Sequence, residues 1–192
     1  MPTPGSPPSR IAERIGQAKR PLIIAGFEAA RDGAGDALLQ LAEAINAPVV
    51  TTYKAKGVIP EDHPLSLGAA GLSPLADRIL LDLASQADLL LLIGYDPIEM
   101  RLGWLDFVDD PSKLIEVGRS PPDHGMHHAA IQVTASTKAF LDGLNNAVRR
   151  RGAWTNDEPT RAKVDLFRLF SPQALWGPQT IVHLLNSAAG PD

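Results

Sequence analysis

Apolar residues along this chain alternate between two rhythms. Short unbroken apolar runs are followed by stretches in which apolar positions recur at helical spacing, i, i+3, i+4, i+7. The runs Leu22-Ile-Ile-Ala-Gly26, Pro48-Val-Val-Thr-Thr52, Ser66-Leu-Gly68, Asp88-Leu-Leu-Leu-Leu-Ile-Gly94, Lys113-Leu-Ile-Glu-Val-Gly118 and Ile131-Gln-Val-Thr134 predict six strands. The continuous run in 88–94 suits a central parallel strand covered on both faces. Between the runs, Ile11, Ile15 and Ala18 mark a helix over 9–19 that Ser9 can cap. Leu38, Leu41, Ala42 and Ile45 mark a second helix, after the polar loop Arg31-Asp-Gly-Ala-Gly35. Ala76, Ile79, Leu80 and Leu83 mark a third, with Ser73 as N-cap and Pro74 at its first position. Ser136 is read as the cap of a fourth, with Phe140, Leu141, Leu144 and Val148 facing inward.

Strands alternating with helices predict an open, doubly wound α/β sheet, six-stranded and mainly parallel, with helices on both faces: a Rossmann-like, nucleotide-binding-type domain. Tight strand-to-helix glycine turns at Gly26 and Gly94 fall at the carboxyl ends of strands, where this architecture binds its ligands. After Arg151 the pattern changes. Residues 152–172 show scattered aromatics without a clear period and read as a long connector. Gly177-Pro178 then opens a helix with Ile181, Leu184, Leu185 and Ala188 on one stripe.

Composition narrows the function classes. The 192 residues carry a net charge of −4, which argues against a nucleic-acid or anionic-membrane surface. The basic run Arg149-Arg150-Arg151 is read as the end of a helix, where positive charge complements the dipole. The absence of cysteine excludes disulfides, thiol catalysis and Cys-based zinc modules, and a reducing, cytoplasmic setting is the expectation. No apolar run is long enough to span a bilayer. No Gly-x-Ser-x-Gly elbow and no GxGxxG occur.

The string Ala47-Pro-Val-Val-Thr-Thr52 followed by Lys56-Gly-Val-Ile-Pro-Glu-Asp-His-Pro-Leu-Ser-Leu-Gly68 resembles the central domain of thiamine diphosphate-dependent enzymes of the acetolactate synthase, pyruvate oxidase and 2-oxo acid decarboxylase type. Ala18-Lys-Arg-Pro-Leu-Ile-Ile-Ala-Gly26 and Ala87-Asp-Leu-Leu-Leu-Leu-Ile-Gly94 look like two further motifs of that family. Gly94-Tyr-Asp-Pro-Ile-Glu99 is similar to a segment of its flavin-independent acetolactate synthases. The resemblance covers about residues 9–148. It implies a linker at 1–8 from an N-terminal pyrimidine-binding domain, a central domain at 9–151, a linker at 152–177, and at 178–192 the first helix of a C-terminal diphosphate-binding domain.

By that resemblance the catalytic Glu and the Gly-Asp-Gly…Asn signature for metal and diphosphate belong to the flanking domains. The chain itself is then expected to be inactive, with no catalytic residue. Its parent is expected to be a homo-oligomer that uses thiamine diphosphate and Mg²⁺ to decarboxylate a 2-oxo acid, with or without ligation of the product to an acceptor, acetolactate synthase-like ligation being the first expectation. A vestigial nucleotide pocket is expected around Gly26, Phe27, Thr52, Lys54, Gly94, Tyr95 and Asp96. Glu28, Asp96 and Glu99 would oppose a diphosphate there, while Lys54, Lys56 and Arg101 would greet an anion, so bound FAD is not the expectation. The alternative is a free-standing FAD- or NAD-binding module, or an interaction module, of the same fold.

His124, His127 and His128 are the candidate metal ligands, with Asp123 as the one obvious carboxylate partner. The opposing reading is a loop folded over the strand ends or at a subunit contact. His63 is read as part of an Asp62-His-Pro64 turn rather than as an acid–base group. Trp104, Phe107, Trp154 and Trp176 are read as packing against neighbouring domains or subunits.

Overall fold

A computed structural model describes residues 8–121, 124–148, 154–171 and 176–189. In chain order the elements are α1 (Pro8–Gln17), β1 (Pro21–Ala25), α2 (Phe27–Arg31), α3 (Gly35–Ile45), β2 (Val49–Thr52), β3 (Ser66–Ala70), α4 (Pro74–Gln86), β4 (Leu89–Ile93), β5 (Leu114–Gly118), β6 (Ile131–Thr134), α5 (Thr137–Asn145), α6 (Glu158–Phe170) and α7 (Pro178–Ala189). The six strands form one sheet in the order β3-β2-β1-β4-β5-β6, and every pairing is parallel. Strands β1 and β4 form the central pair, in register from Pro21 opposite Leu89 to Ala25 opposite Ile93.

Side-chain alternation explains why these two strands are apolar throughout. Ile23, Ala25, Leu89, Leu91 and Ile93 face one layer, which is closed by α1, α3 and α5 through Ile11, Leu38, Leu41 and Leu141. Leu22, Ile24, Leu90 and Leu92 face the other, closed by α4 and α6 through Leu80, Leu83 and Leu166. A strand buried on both faces has no solvent side to mark with polar residues. Asp88 fixes the entry to the sheet, its carboxylate accepting from the Lys19 and Arg20 amides at 2.9 and 2.8 Å.

Only some crossovers are helical. Among the described residues, β4 to β5 is bridged by 3-10 turns at Pro97–Glu99, Leu102–Trp104 and Pro111–Lys113, with no α-helix. Gly94 therefore leads into an irregular segment rather than a helix. Prolines at the first position of two of these turns, each capped by the preceding aspartate, hold them short. Met100 and Trp104 from this connection cover the sheet where a helix would otherwise lie.

Four sequence expectations are corrected. Residues 158–170 form α6, buried through Ala162 and Leu166, instead of an aperiodic connector. Trp154 and Trp104 belong to the domain's own core: Trp104 is fully buried, with Phe107 edge-on at 5.2 Å. Trp154 donates its Nε1 to the Pro21 carbonyl at 2.8 Å and its amide to Lys19 at 3.0 Å. Trp176 remains exposed. Of the two strand-to-helix glycine turns, Gly26 does lead directly into the short helix α2, whereas Gly94 leads into the 3-10 turn at Pro97–Glu99. Ser136 does not cap α5 through its own side chain; the free amide of Thr137 is satisfied by Asp32, 105 residues earlier, at 2.9 Å. Ser73 does cap α4, accepting from the Ala76 amide. The basic run at 149–151 and the carboxylate of Asp123 lie outside the described residues.

Helix α6 also clasps the loop before β3. Lys163 donates to the carbonyls of Glu61, Asp62 and His63. The ring of His63 turns back on its own loop, accepting from the Leu65 amide at 3.2 Å, as the turn reading requires.

Because Trp154 fills the seam beside β1, Trp154→Ala should cost about 3–5 kcal/mol. The check is a urea melt, in which the midpoint should fall with little change in slope.

Candidate functional site at the sheet switch point

Strand order reverses between β1 and β4, and the crevice outside their carboxyl ends is the default ligand site of such a sheet. Here the two strand exits touch. A Cβ on Gly26 would meet the Gly94 carbonyl at 2.2 Å, and one on Gly94 would meet the Ala29 amide nitrogen at 2.6 Å. Gly94 has φ of 60°, a left-handed conformation that side chains disfavour. The Gly26 amide donates to Ile93 at 2.9 Å, and the Glu28 amide donates to Gly94 at 3.2 Å. Two backbone donors that a phosphate would need at this turn are thus already used.

Glu28 completes the closure. Its carboxylate accepts from the Arg119 amide at 2.9 Å, at the end of β5, and from Arg31 at 3.1 Å. The Arg119 guanidinium is committed to Asp32, at 2.7 Å. Asp32 also accepts from the Ser136 hydroxyl and from both the amide and hydroxyl of Thr137. Burial alone would raise its pKa; the Arg119, Thr137 and Ser136 donors outweigh that and hold it down to about 2.

Outside this closed turn lies a cavity of about 230 Å³. Phe27, Gly94, Tyr95 and Asp96, of the predicted pocket, line it. Gly26 does not line it. Thr52 reaches it through Glu99, donating from its hydroxyl at 2.5 Å. Lys54 does not line it and lies exposed near the Tyr53 ring. Lys56 is paired with Glu61. Arg101 lines a separate, mostly apolar groove of about 790 Å³ along α4, with Leu81, Met100 and Trp104.

The cavity wall is acidic. Glu28, Asp96, Glu99 and Glu116 line it, against one guanidinium, Arg31. Sequence reading overlooked Glu116, although a charge inside the apolar run Leu114-Ile-Glu-Val-Gly118 was a visible signal. The histidine loop folds over this residue. The Nε2 atoms of His124 and His127 each lie 3.5 Å from Glu116 Oε1. Glu116 is thus the carboxylate among the described residues that meets these histidines, and exposed His128 stands outside the cluster. Glu116 Oε2, His127 Nε2 and the Tyr95 hydroxyl are buried without a hydrogen-bond partner. Burial and then the carboxylates of Asp96, Glu99 and Glu116 push the Tyr95 phenol well above its ordinary pKa, so it stays protonated.

A parallel sheet of order 3-2-1-4-5-6 with a crevice at its reversal defines a nucleotide-binding-type α/β domain. The family model described as "Thiamine pyrophosphate enzyme, central domain" matches residues 9–144, and the chain belongs to that family. The chain is 28% identical to the acetolactate synthase of Mycobacterium avium over 94% of its own length and 30% of that protein's. It is 32% identical to the "Probable acetolactate synthase large subunit" of Methanocaldococcus jannaschii, over 70% of this chain and 23% of that one. The crystal structure of benzoylformate decarboxylase from Polynucleobacter necessarius superposes with a TM-score of 0.61 at 25% identity, covering 87% of this chain and 34% of that one. The chain therefore spans about a third or less of the length of these proteins. No helix among the described residues is long and apolar enough to cross a membrane.

Two outcomes follow from this geometry. Gly94→Ala should destabilise the fold by about 2–4 kcal/mol, combining left-handed strain with overpacking; thermal melting reads it. Asp32→Asn should destabilise by about 1–3 kcal/mol near neutral pH. The folded pKa of Asp32 is depressed, so its contribution is present above the unfolded value of 3.8 and is lost as pH falls through about 2. Urea melts across that range should show the variant and the parent converging in acid.

Proposed function

We propose that this chain is the non-catalytic central domain of a longer thiamine diphosphate-dependent enzyme. The parent decarboxylates a 2-oxo acid and, in the manner of acetolactate synthase, joins the product to an acceptor. The observation that carries the reading is the central-domain match over 9–144, in a chain that spans only part of relatives described as acetolactate synthases. In this reading residues 1–8 lead in from one flanking domain, 152–177 lead to the next with α6 and Trp154 packed on this domain's core, and 178–192 open that next domain. The exposure of Ile181, Val182, Leu184 and Leu185 on α7 fits a stripe that another domain covers. The parent is a cytoplasmic homo-oligomer whose flanking domains supply the cofactor site and Mg²⁺.

The described residues do not fit thiamine diphosphate. A diphosphate at the switch point would face Glu28, Asp96, Glu99 and Glu116 and would find the Gly26 and Glu28 amides engaged. The same features oppose FAD, ADP and NAD and disfavour a free-standing nucleotide module. The domain's role is to space the two cofactor-binding domains and to wall the active-site entrance.

Calorimetric titration of the 192-residue chain with thiamine diphosphate and Mg²⁺ should give no saturable heat, and FAD should give none either. Gene sequence beyond residue 192 should run into a Gly-Asp-Gly…Asn stretch. Tight binding of either cofactor by the chain alone, or a gene that ends at residue 192, would overturn the reading.

A further inference from the structure

We propose that Glu116, His124 and His127 form a binding site for a divalent transition-metal ion, zinc by preference, at the carboxyl end of β5. The site is independent of any thiamine chemistry. Its three ligand atoms lie within 4.8 Å of one another. Both imidazole Nε2 atoms stand 3.5 Å from Glu116 Oε1. Ligands at zinc–nitrogen and zinc–oxygen bond lengths occupy tetrahedral corners about 3.3–3.5 Å apart. Two imidazoles and a carboxylate are a borderline donor set that suits zinc and excludes the oxygen-only preference of magnesium and calcium.

Burial supplies the second argument. Glu116 is 5% exposed, and its Oε2 meets no donor. The side chain of His127 is 9% exposed, and its Nε2 is likewise without a hydrogen bond. Buried polar atoms of this kind ordinarily have partners. A cation bound by the Glu116 carboxylate and His127 Nε2 compensates both groups, and the carboxylates of Asp96 and Glu99, which line the same cavity, favour positive charge. The cavity of about 230 Å³ beside Glu116 and His124 leaves room for water or a small anion at the open position.

His124 makes occupancy observable. Its Nδ1 accepts from the Met126 amide at 3.0 Å, which places the ring proton on Nε2, facing Glu116. Coordination through Nε2 displaces that proton; the ring then carries its proton on Nδ1, and the Met126 bond opens. The turn at 124–126 therefore rearranges when the ion enters.

The test is calorimetric titration of the chelator-treated 192-residue chain with Zn²⁺, beside Co²⁺ absorption and imidazole NMR. One ion per chain, a four-coordinate cobalt spectrum and a shift of the His124 proton from Nε2 to Nδ1 are expected. Glu116→Gln and His127→Ala should each weaken binding at least roughly tenfold, the scale on which even a supporting group of a metal site counts. His128→Ala should leave it unchanged. Absence of saturable binding, equal loss in His128→Ala, or an unmoved His124 tautomer on zinc addition would overturn the proposal. The NMR readout on the unmutated chain decides the matter even if a ligand variant fails to fold.

Discussion

The contact between Gly26 and Gly94 governs the rest of this molecule. Strands β1 and β4 pair in full register up to Ala25 and Ile93, so their exits emerge side by side at the centre of the sheet. The chain must leave both strands within the space of one peptide, and only residues without Cβ allow it. That approach lets Gly26 and Glu28 donate to the β4 exit. The direction of α2, the position of Glu28 and the outline of the acidic cavity are consequences of the same close packing.

Asp32 extends the constraint across the sheet. It ends α2, anchors Arg119 after β5 and satisfies the first amide of α5. One carboxylate thus joins three segments distant in sequence. Its depressed pKa records the strength of those donors relative to the burial that opposes them. Because Arg119 is committed to Asp32, the strand-end crevice keeps only Arg31 against four lining carboxylates. Stability of the α5 entry and the sign of the cavity's potential are therefore linked through a single ion pair.

The sheet was legible because doubly buried strands leave continuous apolar runs, and glycine punctuates their exits. The caps were legible where they are local: Ser73 accepts from Ala76, three residues on. Asp32 caps α5 from 105 residues away, and no local pattern announces such a partner. Helix α6 escaped notice because it buries chiefly Ala162 and Leu166, while Val164, Phe167 and Phe170 are exposed, which blurs its apolar stripe. The aromatic residues Trp104 and Trp154 fell between regular elements and read as contacts with other domains. They act instead as substitutes for helical cover over the sheet. Of the candidate pocket, the glycine turns and the residues just after them were found by motif and fold. Glu116 was not, since strand periodicity discounts a single charge that tertiary structure later aims into a cavity.

The same architecture can serve opposite electrostatic ends. A parallel sheet offers its switch point to anions when glycine turns leave amides free and a cation stands near. In this chain the amides of Gly26 and Glu28 bond the neighbouring strand exit, and the Glu28 carboxylate accepts from the Arg119 amide. Having closed the anion route, the crevice retains a volume walled by carboxylates and the His124 imidazole, while Glu116 Oε2 and His127 Nε2 lack hydrogen-bond partners. Burying a carboxylate without compensation is costly, and its nearest polar neighbours are two imidazoles of the overlying loop. The pressure on this edge of the domain is therefore toward acquiring positive charge. A nucleotide would add to the negative charge already there.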